Sequence, residues 1–204
     1  MIDVMCLGIV NYTALARYIE SDVNKIVDRK VSIDAIKMAL IRFSEKICEA
    51  HESMYERARL VVEKSSLELK SDICVVTIRR EAVMMNMERV AKLAAKTRFF
   101  QMTQGLKSFT IAISREDLDE LIEIVGRENV EDLQLDQVAI LIVSPMEIIN
   151  TPGVVAFIST VLALNGINIT HIVSCYRDTI IVVKRDDALR AYEVLENALR
   201  GKRY

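Results

Sequence analysis

The sequence predicts an α+β chain. A helical segment over residues 1–64, of helix-turn-helix size, precedes two consecutive β-α-β-β-α-β units with antiparallel sheets, at residues 65–135 and 136–204. Three observations carry this expectation. In the first part of the chain apolar residues recur at alternating spacings of three and four, the period of one helix face. From Leu67 onward short branched, apolar runs alternate with helical stretches and are separated by turn signals. The same order of elements then occurs twice, as expected of a tandem repeat.

The N-terminal segment reads as three helices. Asn11 or Thr13 caps a short one carrying Leu15 and Ile19, and Ser21-Asp22 a second carrying Val23, Ile26 and Val27. Ser32 caps a long third one. There Ile33, Ile36, Leu40, Phe43 and Ile47 form one stripe, which continues from Met54 toward Val61. Helices of this size build little core alone, so they are expected to dock on the rest of the chain or on a partner.

In the first α/β unit, Ile73 to Ile78 reads as a strand and Ala82 to Ala95 as a helix. Phe99 to Thr103 and Ser108 to Ile113 read as a hairpin over Gln104-Gly105. Asp117 to Val125 follows as a helix stopped by Gly126, and Val130 to Leu135 as a strand. In the second unit, Val138 to Val143 is a strand, and the stretch after Thr151-Pro152-Gly153 is an uncharged helix ending at Asn165-Gly166. Ile167 to Ser174 and Thr179 to Val183 read as strands paired around Arg177-Asp178, and Asp186 to Leu199 closes the unit as a helix. Gly201 to Tyr204 leave little room for a last strand, so this sheet must borrow one, with Leu67 to Leu69 as candidate, or stay shorter.

With 51% hydrophobic and 27% charged residues the chain can bury a core, and a net charge of −2 gives no global basic field for nucleic acid or anionic membrane. The longest uncharged helix, Val154 to Leu164, is far short of the ~20 residues of a membrane span. Asp3 precedes only a brief apolar run with no basic leader, so a cytoplasmic protein without membrane attachment is expected. Cys6, Cys48, Cys74 and Cys175 have no C-x-x-C spacing and read as buried or idle thiols.

Catalytic and metal motifs are lacking. His171 and Cys175 share a strand face, but four strand residues separate them by about 13 Å, too far for one zinc ion. His51 lies in a charged helical stretch with no nucleophile arranged around it. No phosphate-loop, zincin, nucleophile-elbow or dinucleotide fingerprint is present, and neither a catalytic residue, a metal nor a cofactor is expected.

The element order from Gln137 to Leu199, with Gly153-Val154 opening a helix and Gly166-Ile167-Asn168-Ile169 after it, resembles the ACT domain, the amino-acid-sensing module of aspartokinases and related metabolic regulators. The resemblance implies a ferredoxin-like fold for both units and favours a regulator over an enzyme. The first unit departs from the pattern: it has Arg79-Arg80-Glu81-Ala82 where the second has its glycine loop, so its ligand site is expected to be lost. The segments TALARYI and DAIKMALIRF resemble the N-terminal part of archaeal ACT-containing proteins described only as predicted regulators of amino-acid metabolism.

By the same resemblance, a ligand pocket falls on Ile149, Asn150, Thr151, Pro152, Gly153, Val154 and Val155, with Asn168 and Ile169 from the following strand. The physical reading agrees. Amides at a helix start lack intrahelical partners and carry the positive end of the helix dipole, which suits the carboxylate of a small amino acid. Gly153 lets that ligand approach the backbone, and Asn168 offers it a polar group. The competing reading is a Pro-Gly turn that only starts a helix, with Asn168 capping a strand end. Glu147 reads as a solvated residue.

The nearly all-apolar helix predicts a second covering surface, hence an interface at Val154, Phe157, Ile158 and Val161 in a homodimer or higher oligomer. Burial inside the monomer under the N-terminal helices is the alternative. Residues 1–50 hold seven basic and seven acidic side chains, and a local basic face of Arg29, Lys30, Lys37 and Arg42 is the candidate nucleic-acid contact. The expectation is therefore a non-enzymatic regulator that senses an amino acid and binds DNA or a protein partner through its N-terminal helices. The rival is an ACT-like interaction scaffold without a small-molecule ligand.

Overall fold

The computed structural model describes residues 9–200, except for the side chains of residues 49–55 inside a helix. The expectations resting on Asp3, Cys6, the His51 side chain and Gly201–Tyr204 lie outside the described residues. The chain divides into two compact units, Met1–Arg57 and Ala58–Tyr204.

The first unit contains α1 (Tyr12–Val27) and most of α2 (Ile33–Glu63). Asn11 caps α1, its Oδ1 accepting from the Ala14 amide at 3.0 Å, and Ser32 Oγ accepts from the Ala35 amide at 3.2 Å at the start of α2. Asp28, left-handed at φ 50°, ends α1, and Asn24 Oδ1 accepts from Val31 N–H at 2.7 Å to hold the connection. The described residues thus form two helices here where the sequence suggested three. Ser21 and Asp22 lie inside α1, because with no glycine or proline nearby the apolar spacing from Leu15 to Val27 runs through unbroken.

The second unit is built on one antiparallel sheet of order β2-β3-β1-β4-β6-β5. Its elements are β1 (Ser66–Arg79), α3 (Arg80–Met85), α4 (Met87–Lys96), β2 (Phe100–Gln104), β3 (Ser108–Ser114), α5 (Leu118–Val125), β4 (Val130–Val143), α6 (Val154–Leu164), β5 (His171–Cys175), β6 (Asp178–Lys184) and α7 (Arg185–Leu199). Short 3₁₀ turns precede α5 and lie at Arg127–Asn129 and Met146–Asn150. The helix expected over Ala82 to Ala95 is two helices, interrupted at Asn86, whose side chain donates to the Ala82 carbonyl at 2.9 Å.

The central strands carry the repeat. β1 and β4 are each 14 residues long, start 64 positions apart (66 and 130), and place Asp72 and Asp136 at equivalent points with φ of 58° and 53°. The first halves and second halves of these strands serve different ends of the sheet. Ile73 to Arg79 pair with β3, whereas Ser66 to Lys70 pair only with β4, at Val143 to Ala139, beside β6. Leu67 and Leu69 therefore do supply the strand that the second unit lacks, opposite Ile142 and Ile140. The boundary expected between residues 135 and 136 lies within the continuous strand β4. Beside this bend, hydrogen bonds from Ser71 and then Arg185 hold the Asp72 carboxyl below its usual range.

Period-2 alternation sorts the strand residues onto two faces. Cys74, Val76, Ile78, Ile111 and Ile113 pack with Val83, Leu93 and Leu121 of α3, α4 and α5. Val138, Ile140, Ile142, Ile181 and Val183 pack with α6, α7 and Ala58, Val61 and Val62 at the end of α2. On the opposite face Ile73, Val75, Phe99 and Ala112 join Ala139, Ile180 and Val182 in a third cluster. The two helix-free halves close on each other there, and Thr103 Oγ1 of β2 lies 3.5 Å from His171 Nε2 of β5, across the two edge strands.

Two local readings of the second half change. β5 begins at His171, not Ile167, so Asn168 and Ile169 belong to the loop before it. The hairpin turn is Tyr176-Arg177, with Cys175 opposite Asp178 and Tyr176 left-handed at φ 55°. The thiol expectation holds for buried Cys74, while Cys175 is an exposed thiol. It fails for Cys48, which is disulfide-bonded.

Candidate functional site

β4 ends at Val143, and a turn through Pro145 and the 3₁₀ segment leads to α6. Thr151 Oγ1 donates to the Glu147 carbonyl at 2.7 Å and tightens that segment. Gly153 is the N-cap of α6 at φ 90°, ψ −5°, with no side-chain cap, and the first helical bond runs from Phe157 N–H to its carbonyl at 2.8 Å. The amides of Val154, Val155 and Ala156 therefore have no acceptor within the helix. A left-handed N-cap of this kind suits glycine, which lacks a Cβ to clash there.

These amides border an open cleft of about 420 Å³. One side is Ile148, Ile149, Thr151 and the start of α6; the other is Ser174 and Tyr176 from the end of β5 and its turn. Arg177 fixes this opposite wall. Its Nε donates to the Ser144 carbonyl at 2.7 Å, and Ser144 N–H donates to the Arg177 carbonyl at 2.9 Å, so the hairpin turn is tied to the end of β4. Ser144 Oγ in turn accepts from Ser65 Oγ at 2.9 Å. The lining carries no carboxylate, imidazole or amine. Such a cleft offers free amide donors, three hydroxyls (Thr151, Ser174 and Tyr176) and apolar walls: it can hold a carboxylate and an uncharged side chain, and its lining provides no carboxylate–imidazole or amine pair for proton transfer.

Of the site residues expected from the sequence, Ile149, Thr151, Gly153, Val154 and Val155 line this cleft, while Asn150 and Pro152 do not. Asn168 and Ile169 lie elsewhere, in a separate cleft of about 550 Å³ with Gln134, Gln137, Thr170 and Lys184. The eleven residues of α6, rising roughly 16 Å, separate the two positions. Buried Gln137 organises this second cleft: its Oε1 accepts from Thr170 Oγ1 at 2.9 Å, and its Nε2 donates to the Leu135 carbonyl at 2.7 Å. Sequence reasoning missed Ser174 and Tyr176. The signal was the hairpin register, since Val143 opposite Asp178 puts the β5–β6 turn beside the end of β4.

The other candidates are also placed. Val154, Phe157, Ile158 and Val161 are buried within their own chain, against the sheet, α7 and the last turns of α2, so they are core and not interface. Arg29 and Lys30 follow α1, while Lys37 and Arg42 lie on α2, five residues and so roughly 140° apart around its axis. Those two do not build one basic face. Glu147 is exposed. Among the described residues no helix is long and apolar enough to cross a membrane.

Residues 132–197 match the family model of the ACT domain. No curated protein matched the sequence. Among solved structures, the fold is similar to aspartate kinase from Clostridium acetobutylicum at a TM-score of 0.55 and 19% identity, over 67% of this chain and 34% of that one. The chain thus spans about a third of that enzyme's length. It is also similar to a structure of aspartokinase alpha and beta subunits, at 0.55 and 18% identity over 66% of this chain and 97% of that one. The regulatory subunit of aspartate kinase from Thermus flavus gives 0.53 and 16%, over 65% and 95%. At such identities the structural likeness speaks for the fold, and the family match speaks for the domain. Residues 132–197 thus carry the match to the ACT domain, in a chain whose fold is similar to that of the regulatory subunit of aspartate kinase.

Proposed function

We propose that the chain is a non-enzymatic regulator that senses a small amino acid in the cleft at the start of α6. The observation that carries the reading is the glycine-opened, uncapped helix N-terminus facing Ser174 and Tyr176 across a cleft without charged side chains. The ligand's carboxylate sits on the amides of Val154 to Ala156, its ammonium group reaches the Ser174 hydroxyl, and its side chain lies against Ile149 and Val155. The similarity of the fold to the regulatory subunit of aspartate kinase from Thermus flavus supports regulation as the role. Assembly into a homodimer or higher, a DNA or protein partner for the N-terminal helices, and a cytoplasmic location belong to the same proposal.

Calorimetry with the twenty amino acids tests it. One small, uncharged amino acid is expected to bind below millimolar and to raise the unfolding temperature, since a ligand at 100 times its Kd stabilises the folded state by ~2.7 kcal/mol. If none binds, the chain is an ACT-like scaffold whose clefts serve protein contacts.

A further inference from the structure

Among the described residues, Thr179 Oγ1 is the one buried side-chain oxygen or nitrogen without a hydrogen-bond partner. It stands second in β6, and the four residues after it, Ile180 to Val183, are all apolar and buried. A valine of the same shape would fill this place without burying an unpaired hydroxyl, which costs free energy unless something offsets it. The register puts the hydroxyl behind the cleft at α6. Thr179 lies opposite Ile142 of β4 on one side and opposite Ser174 of β5 on the other, so the three share one face of the sheet. Ile142 packs with α6, so this is the face that α6 covers. Ser174 lines the cleft and Thr179 does not. Directly opposed residues of an antiparallel pair have Cβ atoms about 4.5–5.5 Å apart, close enough for two hydroxyls to bond.

We propose that Thr179 is a positioning residue for the ligand: its Oγ1 accepts from the Ser174 hydroxyl while that hydroxyl accepts from the ligand's ammonium group. The inference rests on the amino-acid reading of the cleft given above. A hydroxyl has one hydrogen to donate and two lone pairs to accept with, whereas an ammonium group only donates. Ser174 must therefore turn its own hydrogen elsewhere when it binds the ammonium group. Thr179 Oγ1 is the unpartnered acceptor beside it. Thr151 Oγ1 stands on the other wall of the cleft and already donates to the Glu147 carbonyl. A turn of the exposed Ser174 side chain between staggered positions makes the bond. In such a chain each hydrogen bond polarises the next, so the Ser174 oxygen accepts more strongly than it would alone.

Calorimetry and thermal melts of the full chain test it, with glycine, alanine, serine, threonine and valine as probes. Without any probe, Thr179→Val should raise the unfolding temperature by roughly 2–4 °C, because an unpaired buried hydroxyl becomes a methyl group. The same variant should bind the probe that the wild type binds roughly threefold to tenfold more weakly. Thr179→Ser keeps the hydroxyl and should restore the affinity, although it loses a buried methyl group and some stability. In a Ser174→Ala background Thr179→Val should cost no further affinity, since the two hydroxyls act as one unit. A threonine with a structural role alone gives the reverse, a less stable Thr179→Val with the affinity of the wild type. That result, or additive losses in the double variant, overturns the inference while the ligand reading stands. If no probe binds the wild type, the ligand reading falls and takes this inference with it.

Discussion

Gly153 is the residue on which the proposed ligand site turns. At φ 90° a side chain is strained, and at the mouth of the cleft it occupies the ligand's approach. Gly153→Val should therefore abolish amino-acid binding in calorimetry and lower the unfolding temperature as well. Ser174→Ala should only weaken binding, by the roughly threefold to tenfold that one lost hydrogen bond entails. Equal effects of the two variants would argue against the assigned roles. His171 makes a separate prediction. Burial holds its imidazole below the ordinary 6.5. The folded state thus binds fewer protons than the unfolded chain, and the associated stability, present above that value, is lost as pH falls below it toward the folded pKa. Urea midpoints at pH ~7.5 and ~5.5 should fall further for the wild type than for His171→Gln.

At the scale of elements, α6 is the sharpest test of packing. Its buried residues are core, so Leu162→Ala should cost about 2–5 kcal/mol in chemical denaturation. Phe157→Glu should unfold the domain instead of splitting an oligomer. An intact fold with altered mass would contradict this. The same helix shows what the sequence disclosed and what it withheld. Its extent, its glycine start and its Asn-Gly stop were legible, because backbone chemistry fixes them locally. What covers it was not, because the cover comes from α7 and from residues 58–62, far away in sequence. Asn168 was misplaced for a related reason: a polar residue after a helix reads as adjacent to the helix start only if the length of the helix is ignored. Ser21-Asp22 erred in the other direction, as a cap signal remains silent when the apolar spacing continues past it. The boundary between residues 135 and 136 fell between two separate strand readings, Val130 to Leu135 and Val138 to Val143, yet β4 runs through a left-handed Asp136 as one strand. Asp136→Ala should cost roughly 1 kcal/mol relative to Asp136→Gly, which adopts that conformation freely; thermal melts of the pair decide it.

For the whole molecule, the shared central strands β1 and β4 make the two halves of the sheet one cooperative unit. Leu93→Ala in α4 and Leu162→Ala in α6 should lower a single unfolding transition for residues 58–200, seen alike by circular dichroism and calorimetry. Residues 136–204 alone lack the paired strand at Leu67 and Leu69 and should remain unfolded.

The long β1–β4 pairing also bears on how the chain emerges from the ribosome. Ser66 waits for Val143, which is 143 − 66 = 77 residues later. At 5–20 residues per second that delay is roughly 4–15 s. Late in that interval β1 can have paired with β3, while its other edge still waits for β4. A cell must tolerate, or shield, that edge in every nascent copy, and polysomes crowd such copies together. Rare codons placed before residue 143 would lengthen the exposure, and a shielding chaperone would be needed most in that interval.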